Sequence, residues 1–113
     1  TLRLTLYWLA RGPSEQGLTV FAQLLDGDNR IQGQRDQVPG GGEFPTTSWV
    51  NGEYLTDHYE LQIRSEALSG ELQLVVGVYN PLDGSREPLR GVDGQPLGDA
   101  LPLARVIVVG SPP

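Results

Sequence analysis

Apolar and polar residues take turns along the first stretch of this chain. Leu2, Leu4, Leu6 and Trp8 fall on one face of an extended segment, while Arg3, Thr5 and Tyr7 fall on the other. Period-two alternation is the pattern of a half-buried strand, because successive side chains of a strand point to opposite faces. Gly12-Pro13-Ser14 ends it. From Gly17 to Leu25 the apolar set is denser: Leu18, Val20, Ala22 and Leu24 on one face, Phe21 and Leu25 on the other. A strand apolar on both faces is predicted to be central and covered on both sides.

Asp26-Gly27-Asp28-Asn29 has turn chemistry, so the polar run Arg30–Asp36 is predicted to return as the second strand of a hairpin. Its low apolar content predicts an edge. Pro39 to Glu53 reads as a long irregular segment with a flexible Gly40-Gly41-Gly42 loop. Tyr54–Ile63 then alternates again, with Tyr59, Leu61 and Ile63 inward and His58, Glu60 and Gln62 outward. A turn is expected over Glu66–Gly70. Glu71–Asn80 gives the strongest strand signal, with Leu72, Leu74, Val76 and Val78 on its core face. Ser85–Pro102 is rich in Gly and Pro, with at most a short strand near Arg86–Leu89. Leu103–Val109 is the last strand, and Gly110–Pro113 resembles a linker.

Strands at this spacing, with turn signals between them and no amphipathic helix, predict an all-β fold. The expected form is an antiparallel β-sandwich of about six to eight strands, immunoglobulin-like or jelly-roll-like. The chain of 113 residues reads as one domain (1–113), large enough to bury a core without staples. It lacks Met and opens directly in a strand, which leads us to expect a domain excised from a larger protein.

Composition narrows the chemistry. There is no Cys, so disulfides and thiolate zinc sites are excluded. The net charge of −6 disfavours nucleic acid and anionic membrane as partners. No apolar run nears the ~20 residues that span a bilayer, so direct membrane insertion is not expected. His58 is the one histidine, and its neighbour Asp57 points to the opposite face of the same strand, so a Ser–His–Asp triad is not readily built. Asp26, Asp28 and Asn29 lack the further oxygen ligands of a calcium loop. Glu53 and Asp57 near Glu60 are the carboxylates available for glycoside hydrolysis, which needs two of them flanking a sugar-sized cleft. The expectation is no catalytic residue, no metal and no cofactor.

The ligand-binding candidates are aromatic: Trp49, Tyr54 and Phe44, with Tyr7 also able to stack on a sugar ring. Trp8 is assigned to the core by its alternation. Trp49 is expected to plug one end of the sandwich, held there by the flanking Pro45 and the Asn51-Gly52 turn, with an exposed platform as the alternative.

Three segments together carry a resemblance. They are Leu6-Tyr7-Trp8 leading to Thr19–Asp26, then Phe44–Glu53, then Leu74–Pro81. As a set they resemble the C-terminal β-sandwich domain of bacterial multi-spanning membrane glycosyltransferases of the dolichyl-phosphate-mannose mannosyltransferase type. The likeness runs from Leu4 to Val109. It implies a non-catalytic accessory domain on the extracytoplasmic side of a bacterial cell membrane. Such a domain packs on the membrane-embedded part of its parent chain or recruits a glycan acceptor. The alternative is a carbohydrate-binding module using the loop aromatics.

Overall fold

The computed structural model describes residues 1–64 and 70–109. The chain is all-β and antiparallel. Its strands are β1 (Leu2–Leu9), β2 (Thr19–Leu25), β3 (Ile31–Gln37), β4 (Tyr54–Ile63), β5 (Gly70–Tyr79), β6 (Leu89–Arg90), β7 (Pro96–Gly98) and β8 (Leu101–Val108). Six of them form one hydrogen-bonded sheet in the order β1-β4-β3-β2-β5-β8, and β6 pairs with β7 in a separate two-stranded ribbon.

The sheet becomes a sandwich at β3. That strand pairs with β2 from Val20↔Gln37 to Leu25↔Ile31. Its ladder with β4 among the described residues has two pairs, Gly33↔Ile63 and Gln34↔Gln62. Past that corner β4 leaves the plane, carries β1 with it and approaches β2, with which it shares no hydrogen bonds. The inward faces of both layers then meet. Val20, Ala22 and Leu24 of β2 pack with Tyr59 and Leu61 of β4 and with Leu72, Leu74 and Val76 of β5. Leu2, Leu4, Leu6 and Trp8 of β1 cover this core from one side, and Leu101, Val106 and Val108 of β8 from the other. Each fully buried Val or Leu contributes roughly 1.5–3 kcal/mol, so these alternating positions hold the layers together.

The expected edge role of β3 is corrected by this order. In sequence of pairing β3 is interior, while β1 and β8 are the edges. Its polar composition has a physical cause all the same, because Arg35 and Asp36 stay exposed past the last pair with β4.

β2 is covered on both faces, as its composition predicts. Phe21 is 2% exposed on the outer face of β2, its ring lying over Gly77 of β5. Tyr79 flanks it at 6.2 Å between centroids. The Arg86 guanidinium sits 4.3 Å from its centroid, a cation–π contact. Arg86 in turn reaches Asp99 at 3.5 Å. The Gly/Pro-rich segment therefore lies over the β2–β5 pair. The short strand expected at Arg86–Leu89 is instead one bridge, Tyr79↔Arg86, followed by the β6–β7 ribbon. Of the turn expected over Glu66–Gly70, residues 66–69 lie outside the described residues and Gly70 opens β5; the Gly110–Pro113 linker also lies outside them.

Candidate functional site

Two loops close the same end of the sandwich. The ladder between β1 and β4 runs one step past the strands: Ala10 N donates to Glu53 O and Gly52 N to Ala10 O, both at 2.8 Å. The Asn51-Gly52 turn is thereby held against the end of β1. The chain after β1 turns through Gly12 and Pro13 and meets the other loop at Thr46. Ser14 N donates to Thr46 O at 3.1 Å. Leu18 N donates to Thr46 Oγ1 at 3.0 Å, and Ser14 Oγ lies 2.7 Å from the same hydroxyl. Thr46 is buried, so these bonds satisfy it where water does not reach.

Between the loops lies a cleft of about 330 Å³, at the lower end of the roughly 300–1,000 Å³ typical of small-molecule sites. Trp8, Trp49, Leu18, Val20 and Val78 give it apolar walls, and Arg11 is among its lining residues. The two indoles pack at 5.8 Å between centroids with their planes 50° apart. Trp49 is half-buried. Its Nε1 donates to the Phe44 carbonyl at 2.8 Å, so the ring is fixed by its edge.

A buried carboxylate positions the cleft wall from behind. Asp57 is 0% exposed, on the inward face of β4 beside Leu55 and Tyr59. Its Oδ1 accepts from Gln37 Nε2 at 3.1 Å and from Gly40 N at 2.7 Å. Its Oδ2 accepts from Trp8 Nε1 at 3.1 Å and from the Tyr59 hydroxyl. Four donors take the place of water around a charge that would otherwise be costly to bury. Burial first, then the hydrogen bond to Asp57, holds the Tyr59 hydroxyl pKa well above the ordinary tyrosine value.

The Gly40-Gly41-Gly42 segment is not the free loop expected of it. It forms a tight turn over Pro39–Gly42 in which Gly40, Gly41 and Gly42 all take positive φ. Gly40 N is clamped by Asp57, and the Phe44 ring lies so close to the Gly40 Cα that a Cβ there would sit 2.3 Å from it.

The three aromatic candidates are therefore spread out. Trp49 lines the cleft. Phe44 is 36% exposed, packs on Gly40 and supports Trp49 through its carbonyl. Tyr54 is 78% exposed on the outer face of β4, away from the cleft. Tyr7, equally exposed on β1, is its diagonal neighbour there, since Leu9 pairs with Tyr54 and Tyr7 with Thr56.

The hydrolytic carboxylates are not brought together. Asp57 faces the core, whereas Glu60 faces solvent and meets Arg3 at 3.5 Å. Glu53 is exposed in the loop before β4. His58 Nδ1 lies 3.2 Å from Thr5 Oγ1 on the outer face. Asp26 is engaged by its own hairpin: Oδ1 accepts from Asp28 N and Arg30 N, and Oδ2 from Gln32 Nε2, each at 2.9 Å. These backbone bonds, led by that from Arg30, hold its carboxyl below the ordinary aspartate value. Among the described residues no group of three His, Asp or Glu side chains gathers as metal ligands do.

Arg11, Ser14 and Thr46 were not candidates in the sequence, because their role depends on two loops meeting. Asp57 carried a signal that could have found its role. By alternation it shares a face with Leu55, Tyr59 and Leu61, and a charge at an inward position needs partners. Comparison with protein-family models, with curated proteins and with solved structures returns no match.

Proposed function

We propose that the chain is a non-catalytic accessory domain whose Trp8–Trp49 cleft takes hold of a carbohydrate. In this reading it recruits an acceptor for a membrane-bound, glycosyltransferase-like protein of which it forms part. The observation that carries the binding role is Trp49. The ring is anchored at its edge by Phe44 and packs at a tilt against Trp8, yet remains half-buried and lines a preformed cleft. An indole offers a broad apolar face with a negative π surface, which suits the C–H face of a pyranose. A preformed cleft also spares the ordering cost of binding. No cofactor enters this reading, and the charge of −6 favours neither nucleic acid nor anionic membrane.

The parent context rests on the sequence resemblance alone. It implies an extracytoplasmic location at a bacterial cell membrane, with the membrane-embedded part as the other partner. A reading frame with several membrane-spanning segments upstream supports that context, and a frame without them overturns it.

A second reading is a carbohydrate-binding module that works through its outer face. The exposed diagonal pair Tyr7 and Tyr54 favours it. A glycan array followed by calorimetry separates the two. Binding lost in Trp49→Ala and kept in Tyr54→Ala supports the cleft, provided circular dichroism shows both variants folded. The reverse supports the outer face. A chain that binds no glycan overturns both.

A further inference from the structure

The cleft carries a charge asymmetry that the rest of the surface does not lead one to expect. The chain has 14 acidic and 8 basic residues. Nevertheless Arg11 is, among the described residues, the one charged side chain lining the cleft, with no Asp or Glu beside it. The ion pairs among the described residues engage Arg3, Arg30, Arg86 and Arg105, each with its own carboxylate. Arg11 takes part in none of them, is exposed, and stands where the chain leaves β1 beside Trp8. Its backbone is held from both sides. Ala10 before it is bonded to the Glu53 and Gly52 backbone, and Gly12-Pro13 after it leads into the Ser14–Thr46 contact.

A guanidinium carries paired N–H donors in a planar fork that matches the two oxygens of a carboxylate or phosphate. Beside an apolar wall of indole, that fork selects a ligand with two parts: a flat apolar ring face and an anionic group at its rim. We infer that the cleft takes an anionic sugar, the ring stacked on Trp49 and its carboxylate or phosphate paired with Arg11. This inference rests on the carbohydrate reading of the cleft and goes beyond it by fixing the charge of the ligand.

The hydroxyls of the cleft do not supply the same selectivity. Ser14 Oγ lies 2.6 Å from Gln16 O and 2.7 Å from Thr46 Oγ1, and Thr46 Oγ1 also accepts from Leu18 N. They are occupied in holding the loops together. Charge discrimination falls to Arg11.

The test uses matched pairs on the 113-residue chain. One arm titrates short oligosaccharides of glucuronate, galacturonate and mannuronate against their carboxyl-reduced neutral forms. The other titrates mannose and glucose phosphates against the free sugars. The expected result is at least one pair whose anionic member binds roughly tenfold more tightly, as a charge-assisted hydrogen bond near the surface allows. The arm in which it appears identifies carboxylate or phosphate. In Arg11→Gln that preference, read as the ratio of the two members' affinities in the same variant, falls to within about twofold. Glutamine keeps an aliphatic stem with a polar end, and Arg11 makes no ion pair among the described residues, so the variant is expected to fold normally. Equal affinity for both members of every pair, or a preference that survives Arg11→Gln, overturns the inference and leaves the carbohydrate reading standing. Absence of binding to every sugar, neutral or charged, overturns both.

Discussion

The indole N–H of Trp8 donates to the carboxylate of Asp57 at 3.1 Å, diagonally across the β1–β4 pair in which Leu6 faces Asp57 and Trp8 faces Leu55. One ring thus serves two neighbours, a buried anion behind it and the open cleft before it. Asp57 also holds the Gly40 amide, so the same carboxylate ties β1, β3, β4 and the loop that carries Trp49.

Replacing that carboxylate by its isosteric amide tests the tie. Asp57→Asn keeps the volume but turns an NH₂ toward N–H and O–H donors that had been accepted. Buried donors left without acceptors cost about 1–3 kcal/mol each, partly relieved by relaxation. The expected loss is roughly 2–4 kcal/mol in urea unfolding with the m-value unchanged. Trp8→Phe removes one donor and leaves the other three, so its polar penalty is about 1 kcal/mol. An Asp57→Asn protein as stable as the parent would mean that the carboxylate is dispensable.

Phe21 and Gly77 test the opposite face of the sheet. A Cβ on residue 77 would stand 2.3 Å from the Phe21 ring and 2.6 Å from Asp99 O. Gly77→Ala is expected to cost roughly 1–3 kcal/mol, the usual penalty of overpacking. Combining it with Phe21→Leu makes room at the ring but not at the Asp99 carbonyl. The double variant should therefore be more stable than the sum of the single losses predicts, without returning to the parent value. Strict additivity in thermal or urea melts would show that the ring is not what the methyl meets.

Much of this fold was legible in the sequence because the alternation is local. Leu2 to Trp8, Tyr59 to Ile63 and Leu72 to Val78 all face the core, and Asp26–Asn29 makes the hairpin turn. What stayed hidden depends on contacts between distant segments. The corner at Gly33 and Gln34 makes β3 interior to the sheet, although its composition is that of an edge. The cleft requires Ser14 to meet Thr46 across 32 positions of chain, and no periodicity encodes that. For Trp49 the sequence favours a plug over a platform, and the structure has it half-buried, in part each of these.

That mixed position sets the energetic expectation for Trp49. A fully buried tryptophan truncated to alanine costs about 3–5 kcal/mol, and an exposed site usually less than about 0.5 kcal/mol. With one side on Trp8 and the other on the cleft, Trp49→Ala is expected to fall between, at roughly 1.5–3 kcal/mol. The chain should still fold at 25 °C, since a domain of this size has about 5–15 kcal/mol in hand. Trp49→Phe keeps a ring in place and should recover about half of the loss. A cost below about 0.5 kcal/mol would place the ring wholly in solvent, and one above about 4 kcal/mol would make it a plug.

Tyr59 gives the fold a pH dependence of known sign. Its hydroxyl is buried and donates to Asp57, and both effects keep the proton on the folded chain after the unfolded chain has lost it. A group whose pKa is raised on folding contributes stability that is whole below its unfolded value, near pH 10 for tyrosine, and that declines above it. From neutral pH to about pH 9 this term is therefore flat. Above about pH 10 it falls by up to about 1.4 kcal/mol for each pH unit, until the chain unfolds or the hydroxyl ionises. Tyr79 adds a weaker slope of the same sign, because its hydrogen bond to Asp36 raises its hydroxyl pKa as well. Tyr59→Phe starts lower, by about 1 kcal/mol for the lost hydrogen bond, and should lose less per pH unit than the parent between pH 10 and 11.5. Urea melts at half-unit intervals measure both slopes. Parallel slopes in the two proteins would show that Tyr59 ionises as readily in the folded chain as in the unfolded one.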